Sequence, residues 1–155
     1  MSSILVVDDE AAMREFYRRA LAAGGYRPID VRTAEQALDF LAMTPEIQVA
    51  VVDLSMPGKG GAWLIEEMRQ KFPSVAVILA TADERVSGTL SLLPSIVNYL
   101  VKPISAEQLL NAVRDALDKR TESATTAIPS GADPIESWLD RKLTHRQGNG
   151  NDRSK

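Results

Sequence analysis

The sequence predicts an α/β fold, a doubly wound five-stranded parallel sheet with five helices, and three observations predict it. Five short runs, from Ile4-Leu5-Val6-Val7 to Val97–Val101, are nearly all apolar, as strands buried on both faces must be. Stretches with helical spacing of apolar residues follow the runs in turn, and that alternation calls for right-handed crossovers covering both faces of the sheet. Polar side chains end four of the runs: Asp8 and Asp9, Asp53, Thr81 and Lys102. In a parallel sheet the ligand crevice lies beyond the carboxyl ends of the strands, so these residues fall where chemistry is expected.

The first strand, 4–8, leads into Met13, Phe16, Tyr17, Ala20 and Leu21 at helical spacing, stopped by Gly24-Gly25. A weaker second strand, Ile29–Val31, precedes Thr33-Ala34-Glu35-Gln36, whose Thr and Gln have capping-box spacing for a helix burying Ala37, Leu38 and Leu41. The third strand spans 48–53, and Trp63, Leu64 and Met68 stripe the next helix before Pro73 closes it. Val75–Ala80 forms the fourth strand. Residues 83–95 read as a short fourth helix carried by Leu90, Leu92 and Leu93 and weakened by Gly88 and Pro94. After the fifth strand, Ser105-Ala106-Glu107-Gln108 caps a last helix whose inward face is Leu109, Leu110, Val113, Ala116 and Leu117.

From Thr121 the composition turns to Thr, Ser, Ala, Pro and Gly, so one domain is expected over 1–120 and a flexible linker and tail over 121–155. Asp133-Pro134-Ile135-Glu136 starts a short amphipathic helix near 134–145, with Ile135, Trp138, Leu139 and Leu143 on one face. A tail of this length is too short for a winged-helix or catalytic output domain, so signalling by contact with another protein is expected. The 18 basic and 21 acidic residues leave a net charge of −3 and no basic block, which argues against a nucleic-acid partner. With no cysteine there is no disulfide and no thiolate metal site. No targeting segment opens the chain and no apolar run approaches a membrane span, so a cytoplasmic protein with no membrane contact is expected.

Clustered carboxylates raise one another's proton affinity unless a cation offsets them, and hard oxygen ligands suit Mg²⁺. Asp8, Asp9 and Asp53 therefore form a candidate Mg²⁺ site. A carboxylate attacking phosphorus gives an acyl phosphate, and the transferring group needs its oxygens neutralised, a task for the metal, the Lys102 ammonium and the Thr81 hydroxyl. Each of these residues alone has an ordinary role as a cap, a turn hydroxyl or a surface charge; their joint placement at strand ends favours a site.

These residues resemble those of the receiver domain of two-component response regulators, the superfamily that includes the chemotaxis response regulator and the sporulation phosphorelay intermediates. The resemblance covers Ile4 to about Arg120. It rests on Val7-Asp8-Asp9-Glu10, on Asp53 followed by Met56-Pro57-Gly58 and Gly61, on Thr81-Ala82, and on Tyr99-Leu100-Val101-Lys102-Pro103. It implies the flavodoxin-like receiver fold, Asp53 as phosphoacceptor, Asp8 and Asp9 as the acidic pair for Mg²⁺, and the Ser55 backbone carbonyl as a further metal ligand. It also implies phosphoryl contacts from Thr81 and Lys102, Tyr99 as aromatic switch residue, and a cis peptide between Lys102 and Pro103. The implied partners are a histidine kinase or histidine phosphotransfer protein upstream and an effector protein downstream, with a homodimer through the fourth-helix and fifth-strand face. No enzyme activity is implied beyond self-catalysed phosphorylation and dephosphorylation. Phosphorylation would draw Thr81 toward Asp53 and free space for Tyr99 to turn inward, a shift between conformers.

Two departures from the family pattern stand out: Gly60 where an acidic residue is common, and Leu93-Pro94-Ser95-Ile96 in place of a Gly-Ala turn. Gly58-Lys59-Gly60-Gly61 lacks the spacing of a phosphate loop and reads as a turn. The sole histidine, His145, reads as a solvated tail residue. Two rival functions remain at this point, a Mg²⁺-dependent phosphatase of the haloacid dehalogenase type and a receiver-like scaffold that is never phosphorylated. The phosphatase needs a second Asp two positions after its nucleophile, where this chain has Ser55.

Overall fold

Strands β1 (Ser3–Val7), β2 (Arg27–Val31), β3 (Ile47–Asp53), β4 (Ala76–Thr81) and β5 (Ile96–Val101) pair in parallel in the order β2-β1-β3-β4-β5. The helices are α1 (Ala11–Ala23), α2 (Ala34–Met43), α3 (Gly61–Lys71) and α4 (Ala106–Ser123). The computed structural model describes residues 2–82 and 96–123, with side chains to position 119. The expected helix over 83–95, and the linker, helix and tail beyond 123, lie outside the described residues. The backbone of α4 runs to Ser123, three residues past the expected domain end at 120.

Alternation along each strand sends side chains to two cores. On one face Leu5, Val7, Ala50, Val52, Val77 and Leu79 pack against Ala37 and Leu41 of α2 and Leu64, Ile65 and Met68 of α3. On the other, Ile4, Val6, Val49, Val51, Ile78 and Ala80 pack against Tyr17, Ala20 and Leu21 of α1 and Leu109, Val113 and Ala116 of α4. Because both faces are covered, strands such as β1 and β4 are buried at every position, which is why no polar alternation marks them in the sequence.

Local capping follows the expected residues. Thr33 Oγ1 accepts the Gln36 N–H at 3.1 Å, and Gln36 Oε1 accepts the N–H of Arg32, one residue before the cap, at 3.0 Å. Ser105 and Gln108 form the full reciprocal box that starts α4, with bonds of 3.1 and 2.9 Å. Gly25, at φ +92, takes the left-handed turn that ends α1.

Two details of the sheet decide how the strand ends meet. In β5 the register slips: Val77 pairs with Ile96 but Ile78 pairs with Asn98, so β5 carries one extra residue. Ile96 accordingly packs in the α2/α3 core while Leu100, four positions on, packs in the α1/α4 core. An inserted residue reverses the phase of alternation, and Lys102, two past Leu100, is thereby aimed to the α1/α4 side. At Gly61 the first residue of α3 lies against the tip of β3, where a Cβ would stand 2.5 Å from the Asp53 carbonyl oxygen and 2.8 Å from Leu54 Cα. Gly61→Ala is expected to lower stability by about 1–3 kcal/mol through this overlap with backbone, read as a lower urea midpoint at unchanged m-value. A wild-type midpoint would show that α3 can move away freely.

Candidate functional site

Asp8 follows Val6 by two residues and Asp53 follows Val51 by two, so both carboxylates extend the α1/α4 side of adjacent strands beyond the core. Asp8 is fully buried and Asp53 nearly so. Lys102 reaches them from β5: its Nζ lies 3.3 Å from Asp8 Oδ2 and 3.5 Å from Asp53 Oδ1. Backbone donors add to these contacts, with Glu10 N–H on Asp8 Oδ1 at 2.9 Å and Ser55 N–H on Asp53 Oδ1, the oxygen that Lys102 also approaches, at 3.1 Å. Thr81 is buried at the end of β4, one residue beyond the partner of Asp53 in the β3–β4 register, and its carbonyl accepts the Lys102 N–H at 2.8 Å. The Lys102–Pro103 peptide is cis, in keeping with the resemblance.

Asp9 is exposed, yet its carboxylate joins those of Asp8 and Asp53 in a group whose ligand oxygens all lie within 4.8 Å of one another. Three carboxylates from two adjacent strand ends form a hard-oxygen set open to water on one side, a donor chemistry that fits Mg²⁺. The electrostatics agree. Burial lifts the Asp53 carboxyl above its ordinary value of 3.8; the Ser55 N–H pulls it back, the Asp8 charge lifts it further, Lys102 pulls it down, and the balance is upward. Burial disfavours the Lys102 ammonium, but the charges of Asp53 and Asp8 outweigh it and hold the group above 10.5. Burial is the larger cause at Asp53 and the Asp8 charge adds to it, and a divalent cation between the carboxylates would offset that repulsion.

The consequence for stability has a definite sign. Folded Asp53 holds its proton more tightly than the unfolded residue, so on its account stability is full below pH 3.8 and falls as pH rises through the raised value. In metal-free buffer, Asp53→Asn is expected to remove that acid-range decline from a pH series of urea denaturations; a variant curve parallel to wild type would refute it. Lys102 acts at the other end, its contribution present below 10.5 and lost as pH climbs past the raised value.

Tyr99, at 40% exposure, points outward from β5, on the opposite side of that strand from Leu100. Ser55 is exposed. Lys59, in the loop after β3, has its ammonium 4.7 Å from the Trp63 ring centroid, and this cation–π contact ties the loop to α3.

Two residues near the site escaped the sequence reading. Tyr17, expected only as part of the α1 stripe, buries its hydroxyl without a hydrogen-bond partner among the described residues. Burial first, then the charges of Asp8, Asp53 and Glu10, push its titration far above the usual phenol range, so it stays neutral. Arg14 donates from a guanidinium nitrogen to the Asp8 carbonyl at 2.9 Å. Nothing in the helix pattern marks it, and its other partner, Asp30 on β2, is brought near only by strand pairing.

A family model described as "Response regulator receiver domain" matches residues 4–114. The chain belongs to this family, the phosphoacceptor family of two-component signalling. Among curated relatives, the receiver chain is 31% identical over 140 residues to the KDP operon transcriptional regulatory protein KdpE of Escherichia coli, covering 90% of this chain and 59% of that protein. It is 33% identical over 146 residues to the response regulator MprA of Mycolicibacterium vanbaalenii, covering 89% and 63%. The receiver chain therefore spans less than two thirds of these relatives. Among solved structures, the response regulator protein TrrA of Thermotoga maritima, in complex with Mg²⁺–BeF, is 30% identical with a TM-score of 0.68, covering 75% of this chain and 99% of that one. A receiver domain protein from Clostridium thermocellum, at 24% identity and a TM-score of 0.72, shows the same fold over 79% of this chain and 99% of its own. Among the described residues no helix is long and apolar enough to cross a membrane.

Proposed function

We propose that this receiver accepts a phosphoryl group on Asp53 from a phosphohistidine of a histidine kinase or histidine phosphotransfer protein, with Mg²⁺ as cofactor. The observation that supports it most is the Lys102 ammonium set between two buried carboxylates of adjacent strands, 3.3 Å from Asp8 and 3.5 Å from Asp53. Asp8, Asp9, Asp53 and the Ser55 carbonyl would hold the ion, which when bound neutralises charge on the phosphoryl oxygens. An Asp53 oxygen attacks phosphorus in line, the P–N bond to the donor imidazole breaks, and the imidazole keeps the electron pair and takes a proton from water. Lys102 turns from Asp8 to the phosphoryl group, and the Thr81 hydroxyl donates to another of its oxygens. Three new acceptor oxygens at the end of β3 then favour a conformer in which Thr81 is drawn in and Tyr99 follows from its exposed position.

The domain division proposed with this is a receiver over 1–120 and a tail over 121–155. Output passes by protein contact to an effector, with the β5 face that carries Tyr99 as a homodimer contact, in the cytoplasm and without direct nucleic-acid binding. Incubating the full chain with a small phosphodonor and Mg²⁺ is expected to add one phosphoryl group by mass, and chelation to prevent it. Steady release of phosphate from simple esters would point instead to a phosphatase, and no uptake under any condition to a scaffold.

A further inference from the structure

Asp8 is gripped through its main chain as well as its side chain. Its N–H donates to the Val31 carbonyl of β2 at 3.2 Å, and its carbonyl accepts from Arg14 at 2.9 Å. The same guanidinium places Nε 3.4 Å from Oδ2 of Asp30, the residue next to Val31. A ring therefore closes from Asp8 N–H to Val31, along the chain to Asp30, across to Arg14 and back to the Asp8 carbonyl. Arg14 is only 16% exposed in this position. Beyond the ring lies Asp9, to whose carboxylate no side chain donates among the described residues. The direction it takes depends on the Asp8–Asp9 peptide.

We propose that Arg14, held by Asp30, is a positioning residue that sets the Asp8–Asp9 peptide and thereby aims Asp9 at the divalent ion. The inference rests on the metal-holding role proposed above for Asp8 and Asp9. A planar guanidinium can serve the carbonyl and the carboxylate at once, whereas an ammonium on a flexible stem concentrates its charge at one point. Groups that orient metal ligands without touching the metal commonly carry a measurable share of its affinity.

The test uses the full-length metal-free chain and two readouts: calorimetric titration with Mg²⁺, and amide exchange at Asp9 and Glu10 before metal is added. Arg14→Met is expected to weaken Mg²⁺ binding about tenfold. Arg14→Lys is expected to recover little of the loss, and Asp30→Asn to cause a smaller loss in the same direction. Exchange at Asp9 and Glu10 is expected to quicken in all three. Arg19→Met serves as the control, because Arg19 is 78% exposed and among the described residues pairs only with Glu15 on its own helix; it should leave both readouts at wild type. If Arg14→Met fails to fold, the Lys and Asn variants decide. Unchanged exchange in Arg14→Lys and Asp30→Asn overturns the inference, as does an equal loss in Arg19→Met. A wild-type chain that takes up no Mg²⁺ overturns the reading of the metal site, and the exchange measurement then still judges the ring.

Discussion

Asp53→Asn is expected to take up no phosphoryl group from a small phosphodonor under conditions in which the wild-type chain gains one by mass. The amide matches the carboxylate in shape but its oxygen is a poor nucleophile, and no acyl phosphate can form on it. The substitution is a fair test because it should not disturb the fold: it removes a buried charge beside Asp8, and Lys102 keeps its 3.3 Å contact with Asp8. Metal-free stability at neutral pH is expected to hold or rise, since ionised Asp53 is disfavoured in the folded chain. Label that persists in the variant would move the phosphoacceptor elsewhere. A collapse in stability would show that the Asp53 charge is a structural requirement.

Lys102→Met should have the second largest effect, and in two measurements at once. Methionine keeps most of the apolar stem but deletes the ammonium, leaving Asp8 and Asp53 buried beside each other with backbone N–H groups as their remaining donors. Breaking a buried pair by removing one partner costs about 3–5 kcal/mol, and with Lys102 partly exposed the expectation is about 2–3 kcal/mol in metal-free buffer. Mg²⁺ should restore more stability to the variant than it adds to wild type, because it supplies the cation the site has lost. Phosphorylation should slow about 10²–10³-fold from the loss of one charged donor to the transferring group. Equal stability losses with and without Mg²⁺ would show that the ammonium and the ion do not share these carboxylates.

Much of this was readable in the chain. The apolar runs mark all five strands, and the Thr33/Gln36 and Ser105/Gln108 spacings mark the starts of α2 and α4, because capping is a local interaction among residues three apart. Asp8, Asp9, Asp53, Thr81 and Lys102 were recognisable because a polar residue ending a buried run breaks a pattern. Arg14 was not, since a charged residue on one flank of an amphipathic helix breaks none. The Gly61 contact was hidden for a related reason: a glycine at a helix start reads as an ordinary turn until the neighbouring backbone is in place.

The order of amino acids by itself determined the alternating α/β architecture and the identity of the groups at the strand ends, since burial on both faces and helical spacing are properties of short segments. Which side of the sheet each group takes was decided only by the tertiary structure. The one-residue slip in β5 turns Lys102 toward Asp8 and Asp53, and the β1–β2 pairing brings Asp30 within reach of Arg14. Strand register is set by contacts between segments far apart in the chain, and when both faces of a strand are apolar no local pattern encodes it.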